Sequence, residues 1–243
     1  KFLNLKCRSA GLWPSAVVVV ATVRALRFHG GDEAGQNSIR RGFANLARHL
    51  KSVQTFGLTP VVALNVFADD KEEDLSLIEG MVKDAGVAIA RNEGYGNGSE
   101  GSVALAKAVS EVLKSPAPAP KFLYALDDSF ETKVQKIATQ IYGASHVELT
   151  ADAKKDLERC RNWGLGQLPV CVAKTHLSLT DDPTRQGAPS DFSITIRQVR
   201  PSAGAGFLLA LTGEILTMPG LPRVPAAYGL DVTDDGQIVG LRA

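Results

Sequence analysis

Ala16-Val17-Val18-Val19-Val20-Ala21-Thr22-Val23-Arg24-Ala25-Leu26-Arg27-Phe28-His29-Gly30-Gly31 is the stretch on which the fold turns. An unbroken apolar run from Ala16 to Val20, preceded by Pro14, reads as a strand. Such a run suits a strand buried on both faces, as parallel sheets require, whereas a half-solvated antiparallel strand alternates. We therefore expect a strand over 16–23, with Thr22, Arg24, His29 and Gly30-Gly31 at its carboxyl end. Open α/β sheets place their ligands at that end.

The same alternation continues outward from this strand. Ile39, Phe43, Leu46, Leu50 and Val53 recur at helical spacing, and Pro60 to Asn65 forms a second apolar strand. Acid-rich Asp69 to Asp84 predicts an amphipathic helix with Leu75, Ile78 and Val82 inward, ended by Gly86. A short strand at Val87 to Ala90, a glycine-rich loop from Gly94 to Gly101 and a helix over Ser102 to Lys114 follow. Repeated βα units specify an α/β fold: a parallel sheet with flanking helices, joined by right-handed crossovers.

Ser115-Pro-Ala-Pro-Ala-Pro120 favours an extended linker, so a domain boundary is expected there, dividing 1–115 from 121–243. The later segment reads as a smaller α+β domain. It has helices near Phe130 to Tyr142 and Thr150 to Trp163, and a strand at Leu168 to Ala173. A polar loop runs over Thr180 to Ser190, and further strands are expected at Phe192 to Val199 and Phe207 to Leu211. Asp235-Gly236 predicts a hairpin turn near the end.

Composition narrows the function classes. A net charge of +1 gives no reason to expect nucleic acid or an acidic membrane as partner. The longest apolar runs are strand-length, well short of the roughly 18 to 20 residues of a spanning helix. Three cysteines without a Cys-x-x-Cys pair read as reduced thiols of an intracellular protein. Four histidines and those cysteines show no metal-ligand spacing, so no protein-held metal is expected. No Gly-x-x-x-x-Gly-Lys-Ser/Thr phosphate loop occurs anywhere in the chain.

Several residues stand where chemistry is expected. Asn65 and Phe67 end the second strand; a lone phenylalanine is ordinarily core, yet one just past a strand end lies near the ligand crevice. Tyr95, flanked by Gly94 and Gly96, has little local packing to justify it and suits a planar ligand. Gly98 and Gly101 turn the chain and open a helix whose free amides suit anions. Arg24 is a permanently charged fork at a strand end, suited to carboxylate or phosphate. His29 alone is ordinarily a structural histidine, and Lys174-Thr175-His176 follows another strand either as a solvated loop or as a phosphate contact.

Val20-Ala-Thr-Val-Arg-Ala-Leu-Arg-Phe-His-Gly-Gly31 closely resembles a signature of the formate–tetrahydrofolate ligase family, with Arg27 where the family usually has lysine. Lys1-Phe-Leu-Asn-Leu-Lys-Cys-Arg8, Gly164-Leu-Gly-Gln-Leu-Pro-Val-Cys-Val-Ala-Lys-Thr175, Ser202-Ala-Gly-Ala-Gly-Phe207 and Thr217-Met-Pro-Gly-Leu-Pro222 are similar to further blocks of that family, in order. The resemblance implies the carboxyl-terminal part of a ligase subunit. Residues 1–115 would belong to a P-loop-NTPase-like nucleotide and folate domain, and 121–243 would form the second domain.

It further implies an ATP-dependent ligase, using Mg2+, that joins formate to tetrahydrofolate through formyl phosphate to give 10-formyltetrahydrofolate. Arg24 and His29 would serve catalysis; Asn65, Phe67, Tyr95, Gly98 and Lys174 would bind substrate or nucleotide. Phe67 and Tyr95 would wall a slot for the pterin ring, with tyrosine where the family has tryptophan. The partners implied are formate, tetrahydrofolate, ATP, the missing amino-terminal half of the ligase and further copies in a homo-oligomer. A cytoplasmic location is expected, or a mitochondrial one if a targeting segment lies upstream. Alone, the chain is expected to be inactive. The rival readings are a non-enzymatic folate-binding or oligomerisation module, and an inactive scaffold subunit.

Overall fold

A computed structural model describes residues 1–31, 35–213 and 223–240 of the chain. Val17–Ala21 (β1), Pro60–Asn65 (β2) and Ala88–Asn92 (β3) form a parallel sheet in the order β1-β2-β3, with Ala21 beside Leu64 and Asn65 beside Asn92. The carboxyl ends of all three strands therefore face one way. Val23–His29 (α1) and Gln36–Thr55 (α2) connect β1 to β2, and Glu72–Asp84 (α3) connects β2 to β3. Val62 and Leu64 pack with Leu26, Ile39, Leu46, Ile78 and Val82 in one core. The fold class is α/β with parallel sheets and flanking helices, as the sequence implies.

The valine run differs from expectation in two ways. Burial on both faces belongs to β2, whose Val61, Val62, Ala63 and Leu64 are buried. Among the described residues β1 pairs only with β2, and its Val18 and Val20 are 42% and 60% exposed while Val19 packs inward. Nor does the strand run to Val23, because extended Thr22 accepts a hydrogen bond from the Ala25 amide (2.9 Å) and caps α1. Arg24 is thus in the first turn of a helix, and His29 and Gly30 are at its end rather than at a strand terminus.

Gly30 and Gly42 explain how α1 meets α2. A Cβ on Gly30 would lie 1.7 Å from the Ser38 carbonyl oxygen, and one on Gly42 would lie 1.8 Å from that of Leu26. Only glycine permits backbones this close. Arg27 of α1 reaches across to Asp74 of α3 at 2.5 Å, and the Asp74 side chain is 2% exposed.

Beyond β3, Val103–Leu113 (α4) lies along β3 and β2, though none of its residues is fully buried. The boundary expected at 115–121 does not separate one core from another. Lys1–Gly213 is one compact unit. Phe56 and Leu58, from before the prolines, share a core with Leu123, Phe130, Leu157 and Leu208. Past the prolines, Phe130–Ile137 (α5) is capped by Ser129 and continues as a wider turn through Tyr142. His146–Leu149 (β4), a strand the sequence reading missed, pairs in parallel with Ser193–Ile196 (β6). Ala151–Asn162 (α6) is capped by Thr150. Val170–Ala173 (β5) pairs in parallel with Phe207–Leu211 (β8), which pairs antiparallel with Gln198–Ser202 (β7).

Within Glu214–Ala243, Asp231–Val232 (β9) and Ile238–Val239 (β10) form the expected hairpin, with Gly236 at φ 83°. The family-like block at 217–222 lies outside the described residues. Cys7, Cys160 and Cys171 are free and buried. Among the described residues no helix is long and apolar enough to cross a membrane.

Candidate functional site

The carboxyl end of the β1-β2-β3 sheet gathers most of the candidate residues. α1 projects Arg24 from the chain leaving β1, and its guanidinium lies 5.5 Å from the centre of the Phe67 ring. Phe67 is half-buried and held in a tight turn: its amide donates to the Asp70 carboxylate (2.9 Å), and the Asp70 amide donates to the Phe67 carbonyl (3.1 Å). A guanidinium over an aromatic face is attracted by the ring quadrupole, which fixes both partners.

Asn65 works one step back from this pair. Its carbonyl oxygen accepts from the Asn92 amide (2.8 Å), and the Asn92 oxygen accepts from the Ser102 hydroxyl (2.8 Å). The chain of contacts ties the ends of β2 and β3 to the start of α4. Between them the loop folds tightly: a Cβ on Gly101 would lie 2.5 Å from the Glu93 carbonyl oxygen, and Gly98 has φ 57° and ψ −140°. Few residues but glycine adopt that conformation. The short helical turn Gly94–Asn97 holds Tyr95 outward, 91% exposed. An aromatic ring so displayed on a braced loop, at the same sheet end as Phe67, can receive a flat ligand.

His29 and Lys174 are not at this place. They line a separate cavity of ≈ 300 Å3 with Asn45, His49, Tyr142, Thr175, His176 and Ser178. His29 is held by its Nδ1, which accepts from the Gly187 amide (3.3 Å), while Asn45 donates to the Gly187 carbonyl (2.7 Å). Accepting at Nδ1 leaves the imidazole proton on Nε2, and burial pushes the His29 pKa below the ordinary histidine value. The Lys174 ammonium donates to the carbonyls of Thr175 (2.8 Å) and Ser178 and lies 5.0 Å from the Tyr142 ring centre. Burial lowers its pKa to about 8, against a smaller upward pull from Asp181.

The sequence reading brought Arg24 and His29 together on one strand end. The structure instead places Arg24 with Phe67, and His29 with Lys174. It also adds His49, which lies on the long α2 helix and carries no local motif; its relation to His29 is set by the α1–α2 crossing. Among the described residues no group of three or more histidine, cysteine or carboxylate side chains could hold a metal ion.

A family model described as formate–tetrahydrofolate ligase matches residues 1–242. The formate–tetrahydrofolate ligase of Myxococcus xanthus is 50% identical over 250 residues, covering 99% of this chain and 45% of that protein. The ligase of the same name from Symbiobacterium thermophilum is 48% identical over 248 residues, and that from Staphylococcus carnosus 49% over 247; each alignment covers 99% of this chain and 44% of the relative. The chain thus spans less than half the length of the relatives it matches.

Proposed function

The chain belongs to the formate–tetrahydrofolate ligase family, and from that premise we propose that it supplies the folate-binding side of an ATP-dependent enzyme joining formate to tetrahydrofolate. The observation that carries this reading is the Arg24 guanidinium over Phe67, at the sheet end where the neighbouring loop displays Tyr95. Two aromatic side chains suit the faces of a pterin, and the cation beside one of them suits an anionic group next to that ring.

In this reading the folate N10 attacks the carbonyl carbon of formyl phosphate. The bond from that carbon to the phosphate oxygen breaks, phosphate departs with the electron pair, and N10 releases its proton. Arg24 neutralises charge on the departing phosphate, a form of stabilisation that grows as the bond breaks. Phe67 and Tyr95 hold the ring, and the Asn65–Asn92–Ser102 network keeps the two loops in place. Mg2+ would supply charge neutralisation on ATP, but the described residues offer no cluster to hold it, and the sequence has no phosphate loop. We assign formation of formyl phosphate to the part of the relatives that has no counterpart in this chain.

The surface of β1 supports a partner for that role. Val18 and Val20 are exposed on a strand with one edge unpaired among the described residues, and α4 has only two charged residues, Lys107 and Glu111, yet no buried residue. Apolar strand edges left open invite pairing. More than half of each relative has no counterpart here, and that remainder is the occupant this face fits. The test is to mix the purified chain with the separately expressed remainder of the Myxococcus ligase. Synthesis of 10-formyltetrahydrofolate by the mixture and by neither component alone is expected. A mixture that binds both tetrahydrofolate and ATP but makes no product overturns the ligase reading.

A further inference from the structure

We propose that the cavity lined by His29, His49, Lys174 and His176 is an anion-binding subsite, taking a phosphate or carboxylate group of a bound ligand. No aspartate or glutamate lines the cavity, whereas three imidazoles and one ammonium do. Asn45 and Tyr142 add polar character to its wall. Asp181 exerts a pull on Lys174, but one of its carboxylate oxygens is committed to the Thr195 amide (2.9 Å).

The ammonium and the three imidazoles are gathered in one cavity rather than scattered. Both His29 and Lys174 depress the pKa of His49, adding to the larger effect of its removal from bulk water. An anion entering the cavity favours the protonated form of each of these groups, and the neutral rings can still donate a hydrogen bond to it. The side chains of His49 and His176 make no hydrogen bond among the described residues, so their ring nitrogens are available. His29 is oriented by the Gly187 amide on Nδ1, which aims its Nε2 proton as a donor. Lys174 uses two of its three N–H groups on the carbonyls of Thr175 and Ser178.

α1 connects this cavity to the aromatic slot. Arg24 stands in its first turn and His29 is its last residue, a separation of about 7.5 Å along the axis at 1.5 Å per residue. A ligand with a flat ring on Phe67 and an anionic tail, or a phosphorylated co-substrate lying beside it, would meet both ends of the same helix. The choice of ligand rests on the folate and nucleotide reading above; the existence of the subsite does not.

The experiment is calorimetric titration of the purified 243-residue chain with inorganic phosphate and, separately, with tri-γ-glutamate. The histidine ring resonances are followed by NMR. Binding of either anion is expected, with the resonances of His29, His49 and His176 shifting together. Lys174→Met and His49→Ala should each weaken binding by about 10- to 150-fold, the size of losing one hydrogen bond to a charged group. His49 makes no side-chain hydrogen bond among the described residues, so its replacement keeps the test valid even if Lys174→Met unfolds the chain. Phosphate alone would identify a phosphate source, tri-γ-glutamate alone a carboxylate source, and both a general anion subsite. Absence of binding by both anions, or binding untouched by His49→Ala with silent histidine resonances, overturns the proposal. Phe67→Leu should leave anion binding unchanged; if tetrahydrofolate fails to bind while phosphate still does, the folate reading fails and the subsite stands.

Discussion

Replacing Phe67 by leucine removes a π-face while keeping an apolar side chain of similar reach in the turn closed by Asp70. Two interactions are lost. One is the Arg24 contact, whose guanidinium is exposed and 5.5 Å from the ring centre, worth about 0.5–1 kcal/mol at such a site. The other is stacking on the ligand, about 0.5–1.5 kcal/mol beyond area burial. The first is present with and without ligand and affects stability; only the second weakens folate affinity, by about 2- to 13-fold. Tyr95→Ser should cost a similar amount, because the tyrosine is 91% exposed and its ring meets almost nothing else in the chain. If the two rings grip one ligand, the double variant loses less than the sum of the two singles, since a ring already loose on one face gains little from the other. Equilibrium titration of tetrahydrofolate into all four proteins measures the coupling. Strictly additive losses, or an unchanged dissociation constant in either single variant, would refute the slot.

Four further outcomes follow from the same geometry. The purified chain alone should show no formate-dependent ATP hydrolysis; turnover free of contaminating full-length ligase would contradict this. In a full-length ligase carrying this sequence, Arg24→Ala should lower kcat more than it raises the KM for tetrahydrofolate, and the reverse pattern in steady-state kinetics would remove Arg24 from the phosphate. Asp74→Ala leaves the partly exposed Arg27 without its carboxylate, so a loss of about 2–3 kcal/mol is expected, below the full cost of breaking a wholly buried pair, and read as a lowered urea midpoint. Lys174 has a folded pKa of about 8, below the ordinary lysine value, so the unfolded chain binds more protons between these two values. Stability should therefore rise as pH increases through that window, and denaturation of Lys174→Met should show a flatter profile there.

Much of this architecture was legible because local physics and tertiary context agree. Pro60 to Asn65 forms the strand its apolar run requires, and the spacing of Ile39, Leu46 and Leu50 gives the buried stripe of α2. The four valines of β1 do not reveal its position, since an apolar run suited to double burial reads the same in a central strand and in an edge strand. Helix α1 escaped notice although Thr22 was a visible capping signal; the preceding valines favoured a longer strand. β4 is only four residues long, and its alternating His146-Val147-Glu148-Leu149 falls below what periodicity can resolve.

The candidate site divides along the same line. Phe67 and Tyr95 could be singled out because each stands beside a strand end or between glycines, features local to the sequence. The grouping of His29 with His49 and Lys174 depends on the α1–α2 crossing at Gly30 and Gly42 and on the loop at Gly187. Those contacts join residues far apart in the chain, and no spacing rule reports them.

The most direct test of the folate-site claim is an NMR map of tetrahydrofolate binding to the isolated chain. We expect the largest shifts at the amides of residues 22–25, 65–70 and 92–98, with the Tyr95 ring resonances moving most. Shifts confined to other surfaces, with Phe67 and Tyr95 unmoved at saturating ligand, would contradict the account.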